Sequence, residues 1–204
     1  GVGPLDDPLE TIERLSTTFV FRTRGFRAGD ISIDAADIEG RAKRGRMGRP
    51  VSWSVDGDAT GVDLGTASLG RGSAKLSGTL ELGLGEAPFQ LQSLQASGDA
   101  SVSTFRSGST TIERADARLD VRGRLPELDG SITATATGVR AGGEHFESMQ
   151  MDIGLDGPRR FQVDASVRRA EQGVPLDLAA RGWYSRQLDE ITFESFRLSS
   201  PEMV

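Results

Sequence analysis

Cysteine is absent from the 204 residues, and histidine occurs once, at His145. Without thiols the chain has no disulfide scaffold, no Cys-based metal site and no thiol nucleophile. A single imidazole leaves a zinc centre short of ligands. Any Ser-His-Asp arrangement would have to use His145, and no Gly-x-Ser-x-Gly elbow accompanies it. His145 therefore reads as a turn or strand-edge residue. Its neighbours Glu144 and Glu147 match no Ca²⁺-loop spacing. Bulky hydrophobes are also scarce, with 36% apolar and 6% aromatic residues. Ordinary globular domains run at about 45–50% apolar. That shortage excludes a thick core and favours a thin, extended β structure. No run approaches the ~18–20 apolar residues of a membrane-spanning helix.

Charge of one sign does not dominate. The 24 basic and 30 acidic residues are spread along the chain for a net charge of −6. No domain-scale basic surface exists, so nucleic acid is not an expected partner. With so many acids, chance carboxylate pairs are inevitable, and they carry no glycosidase signal by themselves. The glycines form no phosphate loop, and Gly83-Leu84-Gly85 lacks the third glycine of a dinucleotide site. The sequence thus points to no catalytic residue, metal or cofactor, and to a non-enzymatic role. One basic run stands out, from Arg41 to Pro50. Its plainest reading is a solvated loop; in a lipid-binding protein Arg41, Lys43, Arg44, Arg46 and Arg49 could contact anionic head groups.

What the chain does have is period-two alternation. Ile31–Ala35, Val51–Val55, Leu76–Leu84, Leu94–Val102, Ala115–Val121, Met149–Asp156, Phe161–Val167 and Val174–Leu178 alternate apolar with polar residues. This is the mark of strands with one face in water. Turn signals fall between them at Asp56-Gly57, Gly70-Arg71-Gly72, Gly85, Gly108, Asp129-Gly130, Gly142-Gly143, Asp156-Gly157-Pro158 and Gly173. About a dozen strands are expected, with no helical pattern between them. Along Ile191–Leu198 the apolar phase slips near Ser195, which predicts a β-bulge. Asp7-Pro8-Leu9-Glu10 carries N-cap and first-turn signals, predicting a short helix over residues 8–16. Of Trp183 and Tyr184, consecutive on a strand, only one can face inward.

Many inward positions are small, among them Ala96, Gly98, Ala100, Ala115, Ala117, Ala134, Ala136, Ala165 and Ala180. Two stacked sheets normally fill the ~10 Å between them with large aliphatics. Rows of Ala and Gly leave either a thin, closely approaching sandwich or a space filled by something other than protein. On the second reading the apolar lining comprises Leu94, Ala96, Ala117, Leu119, Val121, Ile132, Ala134, Met149, Met151, Ile153, Leu155, Phe161, Val163, Ala165, Val167, Leu176, Leu178, Ile191 and Phe193.

The cadence of the C-terminal half, Leu128-Asp129-Gly130, Ile132-Thr133-Ala134, Met149 to Gly157, Phe161 to Val167, Leu176 to Gly182 and Leu188 to Leu198, carries a resemblance. It looks like the repetitive β-strand region of the TamB-like translocation and assembly module proteins, cousins of the AsmA-like group. The likeness is clear over residues 115–200 and looser over 30–114, and it rests on cadence without an invariant motif. Members often place an aromatic and a Gly where this chain has Gln187-Leu188-Asp189-Glu190. The resemblance implies one elongated all-β segment over 1–204, with an antiparallel or mixed sheet curled into a "β-taco" groove or open sandwich. It implies a periplasmic bridge held to the inner membrane by a segment outside this stretch. A chain that opens at Gly1 and closes just past a strand-like run fits such a piece. The implied partners are phospholipid or another acyl-chain ligand, and an Omp85-type outer-membrane barrel. The implied role is phospholipid transport between membranes, outer-membrane protein assembly, or both. Two other readings stand beside it: a structural or adhesive β-solenoid or sandwich segment, and a carbohydrate-active β protein with paired acids beside exposed aromatics.

Overall fold

A computed structural model describes residues 16–43, 50–83, 90–124, 127–157, 159–169, 175–184 and 190–200. Eleven strands run in chain order: β1 (Ser16–Ala28), β2 (Ile31–Lys43), β3 (Val51–Asp63), β4 (Ala67–Gly83), β5 (Gln90–Ser107), β6 (Thr110–Arg124), β7 (Glu127–Ala141), β8 (Glu144–Asp156), β9 (Arg160–Arg169), β10 (Pro175–Tyr184) and β11 (Ile191–Ser199). Each pairs with its sequence neighbours, and every pairing is antiparallel, so the sheet is not mixed. The result is one open meander of eleven strands with β1 and β11 at its edges. At ~4.8 Å per strand its ten steps extend about 48 Å. Among the described residues it is neither a sandwich nor a solenoid of parallel rungs. No helix occurs among the described residues. The helix predicted over 8–16 falls outside them, save for Ser16, which opens β1.

The strands are longer than the alternating runs suggested, because several expected turns lie inside them. Asp56-Gly57 is in β3, Gly70-Arg71-Gly72 in β4 and Asp129-Gly130 in β7. Each of these glycines makes room for a neighbour. A Cβ on Gly57 would stand 2.9 Å from Ile38 Cγ1, and one on Gly130 would stand 2.0 Å from the Asp120 carbonyl oxygen. Gly108 and Gly142-Gly143 do turn the chain, into β6 and β8. Gly85, Gly173 and Pro158 lie outside the described residues, as do Leu84 and Val174 at the ends of two predicted runs. The slip near Ser195 is a bulge: Arg181 pairs with Ser195, whereas Gly182 pairs with Phe193.

A second slip was not read from the sequence, and it crosses eight strands. Thr23/Phe26, Ile33/Ala36, Ala59/Val62, Leu69/Gly72, Val102/Phe105, Ile112/Ala115, Ala136/Val139 and Phe146/Met149 are each three residues apart. The registers align all eight slips in one line across β1–β8. Both partners slip together, so pairing continues unchanged on either side. Along this crease Gly25, Gly61, Thr104 and Gly138 have φ of 67°, 57°, 55° and 60°. These left-handed residues fall on alternate strands, where glycine avoids the Cβ clash. The side chains of Asp34, Thr104 and Glu113 lie over Gly61, Gly70 and Gly138 of the adjacent strand.

Candidate functional site: one apolar face

Residues directly opposite in an antiparallel pair point to the same side. Following the registers from strand to strand sorts the sheet into two faces. One carries Phe19, Gly40, Val55, Leu76, Gly98, Leu119, Ile132, Ile153, Val163 and Ala180 as a single row. Phe19 opposes Gly40, and each later residue in that row sits within one rung of the last. Two rows above it the face reads Gly72, Val102, Ala115, Ala136, Met149, Val167 and Leu176. All nineteen lining residues expected from the sequence, Leu94 to Phe193, fall on this face. Ala96, Val121 and Ala180 are buried, and most of the others are partly covered. Ala117, Met151, Ile191 and Phe193 stand exposed.

The small residues have two explanations here. Some are covered by a larger neighbour lying flat across them. The Phe19 ring occupies the space above Gly40, and Leu76 Cδ2 lies 2.9 Å from a Cβ built on Gly98. Phe161 and Phe193 meet edge-on over Gly182, ring centroids 5.7 Å apart. The others form a floor. Ala59, Gly72 and Ala115 lie in one row, and Gly57, Ala74, Ala100, Ala117 and Ala134 in the next. Val55, Leu76, Leu119 and Ile132 bound that floor on one side.

The crease supplies the other side. Beyond it stands a row of eight large hydrophobes, one per strand: Phe26, Ile33, Val62, Leu69, Phe105, Ile112, Val139 and Phe146. Strict alternation would send this row to the polar face. The slip returns it: Leu69 Cδ2 lies 2.9 Å from a Cβ built on Gly72, which belongs to the apolar face. Val139 in this lip is only 4% exposed.

Sequence reasoning missed the lip, although the repeated three-residue spacing was the available signal. A side chain also links distant strands at the opposite strand ends. The Leu128 N–H on β7 donates to Tyr184 Oη on β10 at 3.4 Å. Three strand spacings separate them, ~14 Å in a flat sheet, which exceeds a tyrosine's reach. The sheet therefore bends toward its apolar side there. Tyr184 is buried and Trp183 is exposed on the other face, as consecutive strand positions require.

The other face is polar. Arg22 Nε donates to both Asp37 carboxylate oxygens at 3.1 Å, and Lys75 pairs with Asp56 at 3.8 Å. Arg114 hydrogen-bonds Asp116 and holds that carboxyl below its usual range. A shallow hollow of about 490 Å³ here is lined by Asp56, Asp99, Asp116, Lys75, Arg118 and neighbours, with no aromatic residue. Of the residues named for head-group contact, Arg41 and Lys43 are in β2, Arg41 bonded to Glu39. Arg44, Arg46 and Arg49 lie outside the described residues. His145 is the second residue of β8, beside the β7–β8 turn. No group of three potential metal ligands clusters among the described residues.

Comparison with protein-family models, curated proteins and solved structures finds no match for this chain.

Proposed function

We propose that the chain is a non-enzymatic segment of a periplasmic bridge that shelters acyl chains on its apolar face. In this reading it serves phospholipid transport between membranes, outer-membrane protein assembly, or both. The observation that carries the proposal is the missing second layer. A sheet with one apolar face must bury that face against something. Here eleven strands share such a face, and no helix or second sheet covers it among the described residues. An exposed surface of this extent marks an interaction site.

Hydrocarbon suits the space better than a protein partner's side chains would. The two floor rows stand roughly 7 Å apart along each strand, and they run across the strands without a polar interruption. The lip and the Val55–Ile132 row would flank an acyl chain lying along them. Each buried CH₂ contributes about 0.8 kcal/mol, and no residue has to ionise or react. Head groups would stay in water at the rim. The curled "β-taco" groove is the finer form of this reading, and the Tyr184–Leu128 tie supports it. An inner-membrane anchor and an Omp85-type barrel partner would belong to the longer protein.

The test is detergent-free purification, lipid extraction and mass spectrometry on the wild type and on Val163→Arg with Leu178→Arg. Both substitutions place a guanidinium on the apolar face, on adjacent strands. Near-stoichiometric phospholipid on the wild type, lost from a folded double variant, is expected. A folded wild type that carries no lipid overturns the proposal.

A further inference from the structure

Behind the lip, on the polar face, lies a second hollow of about 380 Å³, lined by Thr104, Arg106, Thr111, Glu113 and Arg140 among others. Alternation puts it there. Phe105, Ile112 and Val139 belong to the apolar face, so the residues on either side of them in sequence point the other way. The registers set Arg106 directly opposite Thr111, and Thr111 opposite Arg140. Two guanidinium groups thus stand on β5 and β7, flanking the Thr111 hydroxyl of β6, with backbones two strand spacings or ~9.6 Å apart. Thr104 and Glu113 form the next line, at the crease. All three strands are interior to the sheet and paired on both sides.

The hollow holds charge that its neighbours do not neutralise. Neither Arg106 nor Arg140 makes an ion pair or hydrogen bond among the described residues. The nearby carboxylate is uncommitted too. Glu113 lies across Gly138, its Cδ 2.3 Å from a Cβ built there, a position open only because residue 138 is glycine. Elsewhere on the same strand Arg114 bonds Asp116 at 2.7 Å, so this face does pair an arginine where a carboxylate is in reach. Two guanidinium groups beside a hydroxyl suit a phosphate, because each offers parallel N–H donors to its oxygens. A carboxylate in the same hollow repels a bare phosphate but attracts one that carries its own cation. One chemical group satisfies all of them: a phosphodiester with a primary ammonium a short linker away.

We propose that this hollow binds a zwitterionic phosphoethanolamine group, with Arg106, Arg140 and Thr111 on the phosphate and Glu113 on the ammonium. The site lies on the opposite side of the sheet from the apolar face. It does not depend on what occupies that face.

The probes are glycerophosphoethanolamine and inorganic phosphate, followed by amide chemical shifts of the whole chain. Shifts centred on Arg106, Thr111, Glu113 and Arg140 are expected with glycerophosphoethanolamine in the millimolar range. Arg106→Gln with Arg140→Gln should weaken its binding by about tenfold or more. Glu113→Gln should weaken glycerophosphoethanolamine several-fold and tighten inorganic phosphate, a reversal that a merely structural Glu113 would not produce. The three side chains are exposed, so denaturant midpoints of the variants should match the wild type. Co-sedimentation separates two sources of the group. Capture by vesicles of phosphatidylethanolamine with phosphatidylcholine, but not of phosphatidylcholine alone, assigns a lipid head group; binding of the soluble probe without capture assigns a free phosphoethanolamine. A wild type with no shifts at millimolar probe overturns the proposal, and so does a Glu113→Gln variant whose preference between the two probes is unchanged.

Discussion

The two ends of the strands shape the apolar face by different means. At the crease the backbone does it: left-handed residues on alternate strands shift the alternation by one, and a row of large hydrophobes joins the face. At the other end a single side chain does it, through the hydrogen bond between Leu128 and Tyr184. The crease repeats over eight strands and is held by the pairing on both sides of it. The tie joins one residue on β7 to one on β10. A backbone device distributed in this way resists the loss of any side chain but is sensitive to its glycines. A side-chain device has the opposite vulnerability.

The largest effect should come from putting a β-branched residue into the crease. Gly138 has φ +60°, and a Cβ there would meet the Glu113 side chain at 2.3 Å. Gly138→Val should destabilise the chain by about 2 kcal/mol, since backbone strain of this kind costs of order 1–3 kcal/mol. Gly154→Ala on the polar face of β8 is the matched control. Its Cβ would meet nothing within 4 Å and its φ is unstrained, so a change within about 0.5 kcal/mol is expected. Denaturant midpoints measured side by side decide it. Equal midpoints for the two variants would mean that the crease is not a constraint on the fold.

Thr104 sharpens the same comparison with the opposite sign. It occupies the left-handed position of β5 at φ 55°, where the next strands but one, β3 and β7, use Gly61 and Gly138. A β-branched residue there is strained. Thr104→Gly should therefore stabilise the chain by up to about 1 kcal/mol, the strain relieved exceeding the entropy glycine adds to the unfolded state. A fall in the denaturation midpoint would instead assign Thr104 a packing role over Gly70, which its side chain approaches.

Alternation alone placed the nineteen lining residues on one side, because period two is a property of a strand by itself. The crease was hidden for a related reason. A glycine next to a polar residue, as in Asp56-Gly57 or Gly70-Arg71-Gly72, has the same sequence whether it turns the chain or admits a neighbour's side chain. The deciding atoms, Ile38 Cγ1 or Thr104 Cβ, belong to strands many residues away. In β11 the slip was legible because it interrupts a long alternating run. In the eight creased strands it falls close to a hairpin, where an apparent end of the strand conceals it. Single-layer architecture was likewise illegible, because the pattern of a half-solvated sheet does not reveal whether a second sheet exists.

The smallest expected effect tests the side-chain device. Tyr184→Phe keeps the ring on the apolar face and removes the hydroxyl that accepts from the Leu128 N–H. At 3.4 Å this is a long hydrogen bond between neutral groups, so about 0.5–1 kcal/mol of stability should be lost. The more informative readout is local: amide exchange at Leu128 should quicken while the centre of β7 stays protected. If the bond holds the bend between β7 and β10, protection near Gly157 and Arg159 should fall with it. Those residues occupy the β8–β9 turn between the two ends of the tie, and Arg159 accepts from the Tyr184 N–H at 3.0 Å. Faster exchange confined to Leu128 would instead assign the bend to the backbone alone. The two ends of the sheet would then be shaped by the same kind of device.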